Sequence, residues 1–380
     1  MRRWLILALC LVSAALAAVA WSIVRTPDIP FEKHTIDLGA NETCAIADIN
    51  RDGKLDIVSG ENWYEGPRWT KHHFRTISYS DNYIDNFSDL PIDVNGDGAP
   101  DIVSCSYFTK KLYWMQNPGR GIGDWKEHPI ENGWSVEFTF LVDIDNDGKK
   151  QELLPQFGQA EAPLAWYELK NRSFIRHVVS PHSYGHGIGA GDVNGDGRTD
   201  ILTPKGWFEA PPNPRSDAWK WHPDWDLDAV GFMYVLDING DGRNDVVSSN
   251  AHNYGVFWLE HGPGNKWTKH RIDDSWSQAH AMTMVDLNGD GKMDFLTGKR
   301  FMAHNGHDPG EREPLGIYWY EYVKDTDGTI EWIKHVIDYS TRTGSGMQIP
   351  VVDIDGDGDL DFAVGGKSGL FLFENLTRRK

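Results

Sequence analysis

Short apolar runs recur along the chain, and each follows the same kind of polar, glycine-containing loop. The runs include DIVSG (56–60), DIVSC (101–105), DILTP (200–204), DVVSS (245–249), DFLTG (294–298) and DFAVG (361–365). Brief apolar, β-branched runs bounded by turn residues predict buried strands. Another apolar run precedes each loop. Two further landmarks keep step with them. One is an aromatic triplet: WYE (63–65), YWMQN (113–117), WYE (166–168), WFE (207–209), FWLE (257–260), YWYE (318–321) and FLFEN (371–375). The other is an aromatic followed three residues later by histidine: FEKH (31–34), WTKH (69–72), WKEH (125–128), FIRH (174–177), WKWH (219–222), WTKH (267–270) and WIKH (332–335). Each unit therefore has four strands: A before the loop, B after it, C at the triplet and D at the histidine. Four-stranded units in series predict propeller blades.

The A–B loops are near-copies of one nonapeptide: DINRDGKLD (48–56), DVNGDGAPD (93–101), DIDNDGKKQ (143–151), DVNGDGRTD (192–200), DINGDGRND (237–245), DLNGDGKMD (286–294) and DIDGDGDLD (353–361). Their starts are 45, 50, 49, 45, 49 and 67 residues apart. Side-chain oxygens at positions 1, 3, 5 and 9, with a carbonyl near 7, can surround a hard cation, and Gly at position 6 permits the sharp turn. An EF-hand would need helices on both sides; here strands flank each loop. The expected calcium ligands are Asp48, Asn50, Asp52 and Asp56; Asp93, Asn95, Asp97 and Asp101; Asp143, Asp145 and Asp147; Asp192, Asn194, Asp196 and Asp200; Asp237, Asn239, Asp241 and Asp245; Asp286, Asn288, Asp290 and Asp294; and Asp353, Asp355, Asp357 and Asp361. The third loop has Gln151 at position 9, so either Glu152 takes over or the site is weaker. So many clustered carboxylates are costly without a counter-ion, and up to seven calcium ions are expected.

The last unit has strands A, B and C, but the chain ends before a D strand. A D-type strand, FEKHTID (31–37), stands alone ahead of the first unit. The expected fold is all-β: a seven-bladed β-propeller of four-stranded antiparallel blades over 31–380, closed by this N-terminal strand joining the last blade. The D-strand histidines recur in every unit and read as structural. These loops and flanks resemble FG-GAP/VCBS repeats, the calcium-loop propellers of integrin α-chain heads and many secreted bacterial proteins. That resemblance implies the fold and the calcium, and it suits either an enzyme or a scaffold.

The net charge of −19 argues against nucleic-acid binding. Seven calcium ions would add +14 and leave about −5. Arg2 and Arg3 precede an apolar run, so residues 1–24 read as an export signal, cleaved near Ala17 or Ala20, or as an uncleaved membrane anchor. Either places the folded part outside the cytoplasm. Cys44 and Cys105 are expected as buried thiols, with a disulfide as the alternative.

Function is expected where the units differ. Six residues before each loop's first Asp stand Glu42, Phe87, Glu137, His186, Gly231, His280 and Met347. They fall near the start of strand A, at one mouth of the central channel. Two Glu and two His at one level can bind a metal or move protons. The B–C connections lie on the same face. They carry Lys205 in the fourth unit and His252 in the fifth. In the sixth, the insertion LTGKRFMAHNGHDPGEREPLG carries Lys299, Arg300, His304, His307 and Asp308. His186, His252, His280, Lys205, Lys299, Arg300 and His304 are expected to converge there, with zinc or another divalent transition metal on His186, His252 or His280.

The segments SYGHGIGAGDVNGDGRTDILTPKGWFEAP and SQAHAMTMVDLNGDGKMDFLTGKRFMAHNGHDPG are also similar to the propeller of the aldos-2-ulose dehydratase family, whose cupin domains have no counterpart here. This resemblance implies metal-assisted dehydration of a keto-sugar. A neighbouring His or Glu137 would take the α-proton, and Lys299 and Arg300 would stabilise enolate charge or grip substrate oxygens. The alternative is a non-catalytic propeller that binds glycans or proteins.

Overall fold

The computed structural model describes residues 26–378. The apolar N-terminal run, with Cys10 and the expected signal or anchor, lies outside them. All regular structure among the described residues is strand. Each A–B loop turns one antiparallel strand into the next, as in Ala45–Ala47 to Asp56–Ser59. The result is an all-β propeller of antiparallel four-stranded units. Phe31–Asp37 pairs antiparallel with Gly369–Asn375, the C strand of the last unit, Phe31 opposite Asn375.

Seven separate sheets were expected, and the structure differs. Five four-stranded sheets stand apart, together with one eight-stranded sheet and a small hairpin at 79–84. In the large sheet the fourth and fifth units are joined through their A strands, Ile188–Gly191 and Phe232–Leu236, which pair in parallel. Glycine is the cause. A Cβ on Gly189 would lie 2.3 Å from the Met233 carbonyl oxygen, and one on Gly191 would lie 2.6 Å from the Val235 Cβ. Their absence lets two inner strands approach to hydrogen-bonding distance, where side chains would hold them apart. Gly189→Val should therefore cost about 3 kcal/mol or more, because backbone rather than a flexible side chain blocks the new atoms. Denaturant unfolding measures this, and an unchanged midpoint would refute the close approach.

The recurrent histidines have a common structural duty. Six of them stack on the C-strand tryptophan of their own unit: His72 on Trp63, His128 on Trp114, His177 on Trp166, His222 on Trp207, His270 on Trp258 and His335 on Trp319, with ring centroids 3.9–4.7 Å apart. The Nε2 atoms reach the residue two beyond the tryptophan, for instance Glu65 at 2.8 Å and Glu321 at 2.9 Å. His34 keeps its carboxylate, Glu374, at 2.9 Å. Thus strand D is pinned to strand C by an aromatic stack plus a polar contact. Cys44 and Cys105 are free and buried, and burial pushes the Cys105 thiol up to about 12.

Candidate functional site

All seven A–B loops share one hydrogen-bond pattern. In the first, Asp52 N–H donates to Asp48 Oδ1 and Asn50 Oδ1, both at 3.0 Å, and Gly53 N–H donates to Asp48 Oδ2 at 2.9 Å. Gly53 has φ +85°, a left-handed conformation suited to glycine. The acid at position 9 is buried and accepts the N–H of position 2, as Asp56 does from Ile49 at 2.8 Å. In the third loop Glu152 fills this role, accepting from Ile144 at 3.1 Å. Gln151 is a one-residue insertion there, and Glu152 opens the B strand as Asp56 does in the first unit.

These loops fit a hard cation. Burial pushes Asp56, Asp101, Asp245 and Asp361 up to about 6 and Glu152, Asp200 and Asp294 up to about 7, against the pull of backbone N–H groups. Glu152 Oε1 is buried without a partner, and oxygens of Asp143, Asp145 and Glu152 lie within 4.8 Å of one another. Asp353, Asp355 and Asp357 form a similar oxygen cluster.

The opposite ends of the A strands meet at the mouth. Counting back from the loops does find neighbours in Glu137, His186 and His280, and with His252 from the B–C connection of the fifth unit their nitrogen and oxygen atoms lie within 4.8 Å of one another. His186 Nδ1 is 2.9 Å from the Val230 carbonyl oxygen, which can only accept, so Nδ1 carries the proton. His252 Nδ1 is likewise 2.9 Å from the Asp308 carboxylate. Neutral rings in these tautomers turn two Nε2 lone pairs on each other at 3.0 Å, with Glu137 Oε2 3.2 Å from His186 Nε2. Two lone pairs and a carboxylate in contact need a cation among them, whether a proton or a metal. Ligands about 2.0–2.1 Å from a zinc ion in a tetrahedron lie about 3.3 Å apart, close to these separations. His280 is buried with neither ring nitrogen partnered.

Electrostatics follow the same geometry. Burial opposes charge on His186, but Glu137 outweighs it and holds the pKa above its usual value. Burial and then the charge of His186 push His252 down to about 4. Burial works to raise Glu137, but His186 and Arg300 hold it at about 2. Burial, then Arg300, keep His280 far below its usual value and therefore neutral. Arg300 is itself buried, with Nη2 3.0 Å from Glu42 Oε2 and Nη1 3.6 Å from Glu137 Oε1.

Beside this cluster lies a cavity of ≈ 320 Å³, lined by Glu137, Arg300, His304, His307, Asp81, Asn305 and the aromatic rings of Tyr83, Phe87, Tyr107 and Phe108. His304 stacks on His252 at 4.3 Å, and its Nδ1 is 2.9 Å from Asp308. Of the expected group, His186, His252, His280, Glu137, Arg300 and His304 come together. Two lysines do not. Lys205 Nζ pairs with Asp226 at 2.5 Å and the Leu227 carbonyl at 2.7 Å, at the edge of its own loop. Lys299 Nζ is consumed by Ser277 Oγ at 2.8 Å and the Gly310 carbonyl at 2.6 Å, where it tethers the insertion. A lysine's loop position says little about where four methylenes carry its charge. Of the aromatic wall, only Phe87 stood among the positions counted back from the loops; Tyr83, Tyr107 and Phe108 were missed, and their sequence signal is Tyr107-Phe108, two large rings in a tight B–C turn.

Fold and loops together define the class: an all-β propeller in which part of the chain matches FG-GAP-like repeats. Residues 93–151 and 237–297 match the FG-GAP-like repeat family. Among solved structures, the chain is similar to BBS1N in complex with ARL6DN, in a crystal soaked with lead (10% identity over 94% of this chain and 99% of that one, TM-score 0.56). The same complex soaked with mercury gives 11% identity, 93% and 98% coverage and a TM-score of 0.53. An Agrocybe aegerita lectin specific for non-reducing terminal N-acetylglucosamine gives 17% identity, 92% coverage of both chains and a TM-score of 0.46. The two BBS1N likenesses bear on the fold alone. No curated protein matches the sequence. The aldos-2-ulose dehydratase resemblance is not confirmed by these comparisons.

Proposed function

We propose that this is an exported, calcium-stiffened propeller whose mouth houses a carbon–oxygen lyase, a dehydratase of keto-sugars using a divalent transition metal. The observation that carries this reading is the pair of facing Nε2 atoms in His186 and His252, set beside Glu137 and the unpartnered His280. In this reading the eight-stranded sheet counts as two blades, the 31–37 strand closes a seven-bladed ring, and up to seven calcium ions sit on the far face.

The four residues would hold the metal, which when bound supplies a Lewis acid for a carbonyl oxygen. The chain's own groups account for the rest. The aromatic wall packs against a sugar ring. His304 donates its Nδ1–H to Asp308, which leaves Nε2 to take the proton α to the carbonyl. Arg300 stabilises the developing oxyanion. The C–H electron pair forms the new double bond as the β-hydroxyl takes back from His304 the proton it removed and leaves as water. The second reading is a glycan-binding module, favoured by the wall of Tyr83, Phe87, Tyr107 and Phe108. A screen of keto-sugars with zinc-loaded protein separates the two. A new ultraviolet-absorbing enone supports the lyase; sugar binding without turnover supports the module.

A further inference from the structure

The insertion of the sixth unit reaches across to the fifth and places one carboxylate, Asp308, against the outer nitrogen of His252. Asp308 Oδ2 accepts from His252 Nδ1 and from His304 Nδ1, both at 2.9 Å. The insertion is held from several sides. Lys299 grips the Gly310 carbonyl, Lys367 Nζ donates to the Met302 carbonyl at 2.7 Å, and Asn305 Nδ2 donates to the Asp81 carbonyl at 3.2 Å. Asp308 is therefore carried on a braced segment rather than a free loop. Its side chain is 17% exposed, which shields its hydrogen bonds from water.

We propose that Asp308 is the outer partner that fixes the tautomer of His252, so that the insertion of the sixth unit sets the metal affinity of a site assembled from the third to the sixth units. This rests on the metal reading above. A histidine ligand needs its outer N–H held so that the other nitrogen presents its lone pair, and a carboxylate acceptor also makes that lone pair more basic. His186 gets a weaker version of this from the Val230 carbonyl. His280 has no such partner. His252 alone among the three histidines is backed by a full negative charge, so affinity should hang most on its partner.

The test uses the full chain saturated with calcium, titrated with zinc against a competing chelator. The wild type should bind one zinc tightly. Asp308→Ala should bind it about 10–100-fold more weakly. Asp308→Asn keeps a neutral acceptor oxygen and should fall between them. With cobalt(II) as a coloured substitute, the visible d–d bands should shift in Asp308→Ala, a change that a distant packing defect would not cause. Thermal unfolding in calcium shows that each variant is folded. Equal zinc affinity in wild type and Asp308→Ala would overturn the proposal, as would an Asn variant no better than Ala. A wild type that binds no zinc would fail the preceding reading, and this one with it, which is a different result.

Discussion

Removing calcium with EGTA is expected to lower the melting temperature by about 10 °C or more. Each ion bound only by the folded chain stabilises it by about 2.7 kcal/mol at a hundredfold excess over its Kd. A few such sites already rival the roughly 5–15 kcal/mol that holds a typical domain together. The effect should be large because each loop closes over a buried carboxylate whose pKa the fold raises to about 6 or about 7, as for Asp245 and Asp200. A carboxyl whose folded pKa exceeds its unfolded value favours folding at low pH, and that contribution is lost as pH rises through the folded value. The calcium-free chain is thus penalised most above about pH 7, so the EGTA effect should be larger near pH 8 than near pH 5. Calorimetry with and without EGTA at both values measures this. An unmoved transition near pH 8 would contradict structural calcium in these loops.

The second large effect concerns the mouth. Elemental analysis of protein purified without chelators should find about one zinc-class metal per chain beyond the calcium. The double variant His186→Ala, His280→Ala should lose it entirely. It removes one of the two imidazoles that face each other at 3.0 Å and the ring of the cluster whose nitrogens are both buried and unpartnered. What remains is Glu137 and His252, too few ligands for tight binding against solvent. The A–B loops lie at the other end of the strands, so the calcium content expected of them should be the same in the variant as in the wild type. Calcium alone in the wild type would remove the metal from the mechanism and leave a binding module.

Much of this was legible in the sequence because both signals are local. An Asp/Gly loop encodes its own turn, and its repetition set the phase of every strand. That phase placed Phe31–Asp37 beside the last unit, where it pairs with Gly369–Asn375. Counting six residues back from each loop found Glu42, Glu137, His186 and His280, because strands of equal rise bring equal positions to one level. What escaped was set by contacts between units. The lysines fold back onto carbonyls nearby, and the rings of Tyr107 and Phe108 carry no metal-like signature. The union of two units depends on what glycine leaves out, which a scan for chemical groups passes over.

That union has a mechanical consequence. Elsewhere neighbouring units meet at the hub through side chains and isolated backbone hydrogen bonds, such as Met347 N–H to the Glu42 carbonyl at 2.7 Å and Ser345 N–H to the Lys299 carbonyl at 3.0 Å. Between the fourth and fifth units it is stitched by backbone hydrogen bonds from Ile188 to Ala190 against Phe232 to Tyr234. His186 stands two residues before this seam, and His252 hangs from the same eight-stranded sheet. The two imidazoles therefore ride on one hydrogen-bonded plate, so a shift of one unit carries the other with it and their separation is set within a single sheet.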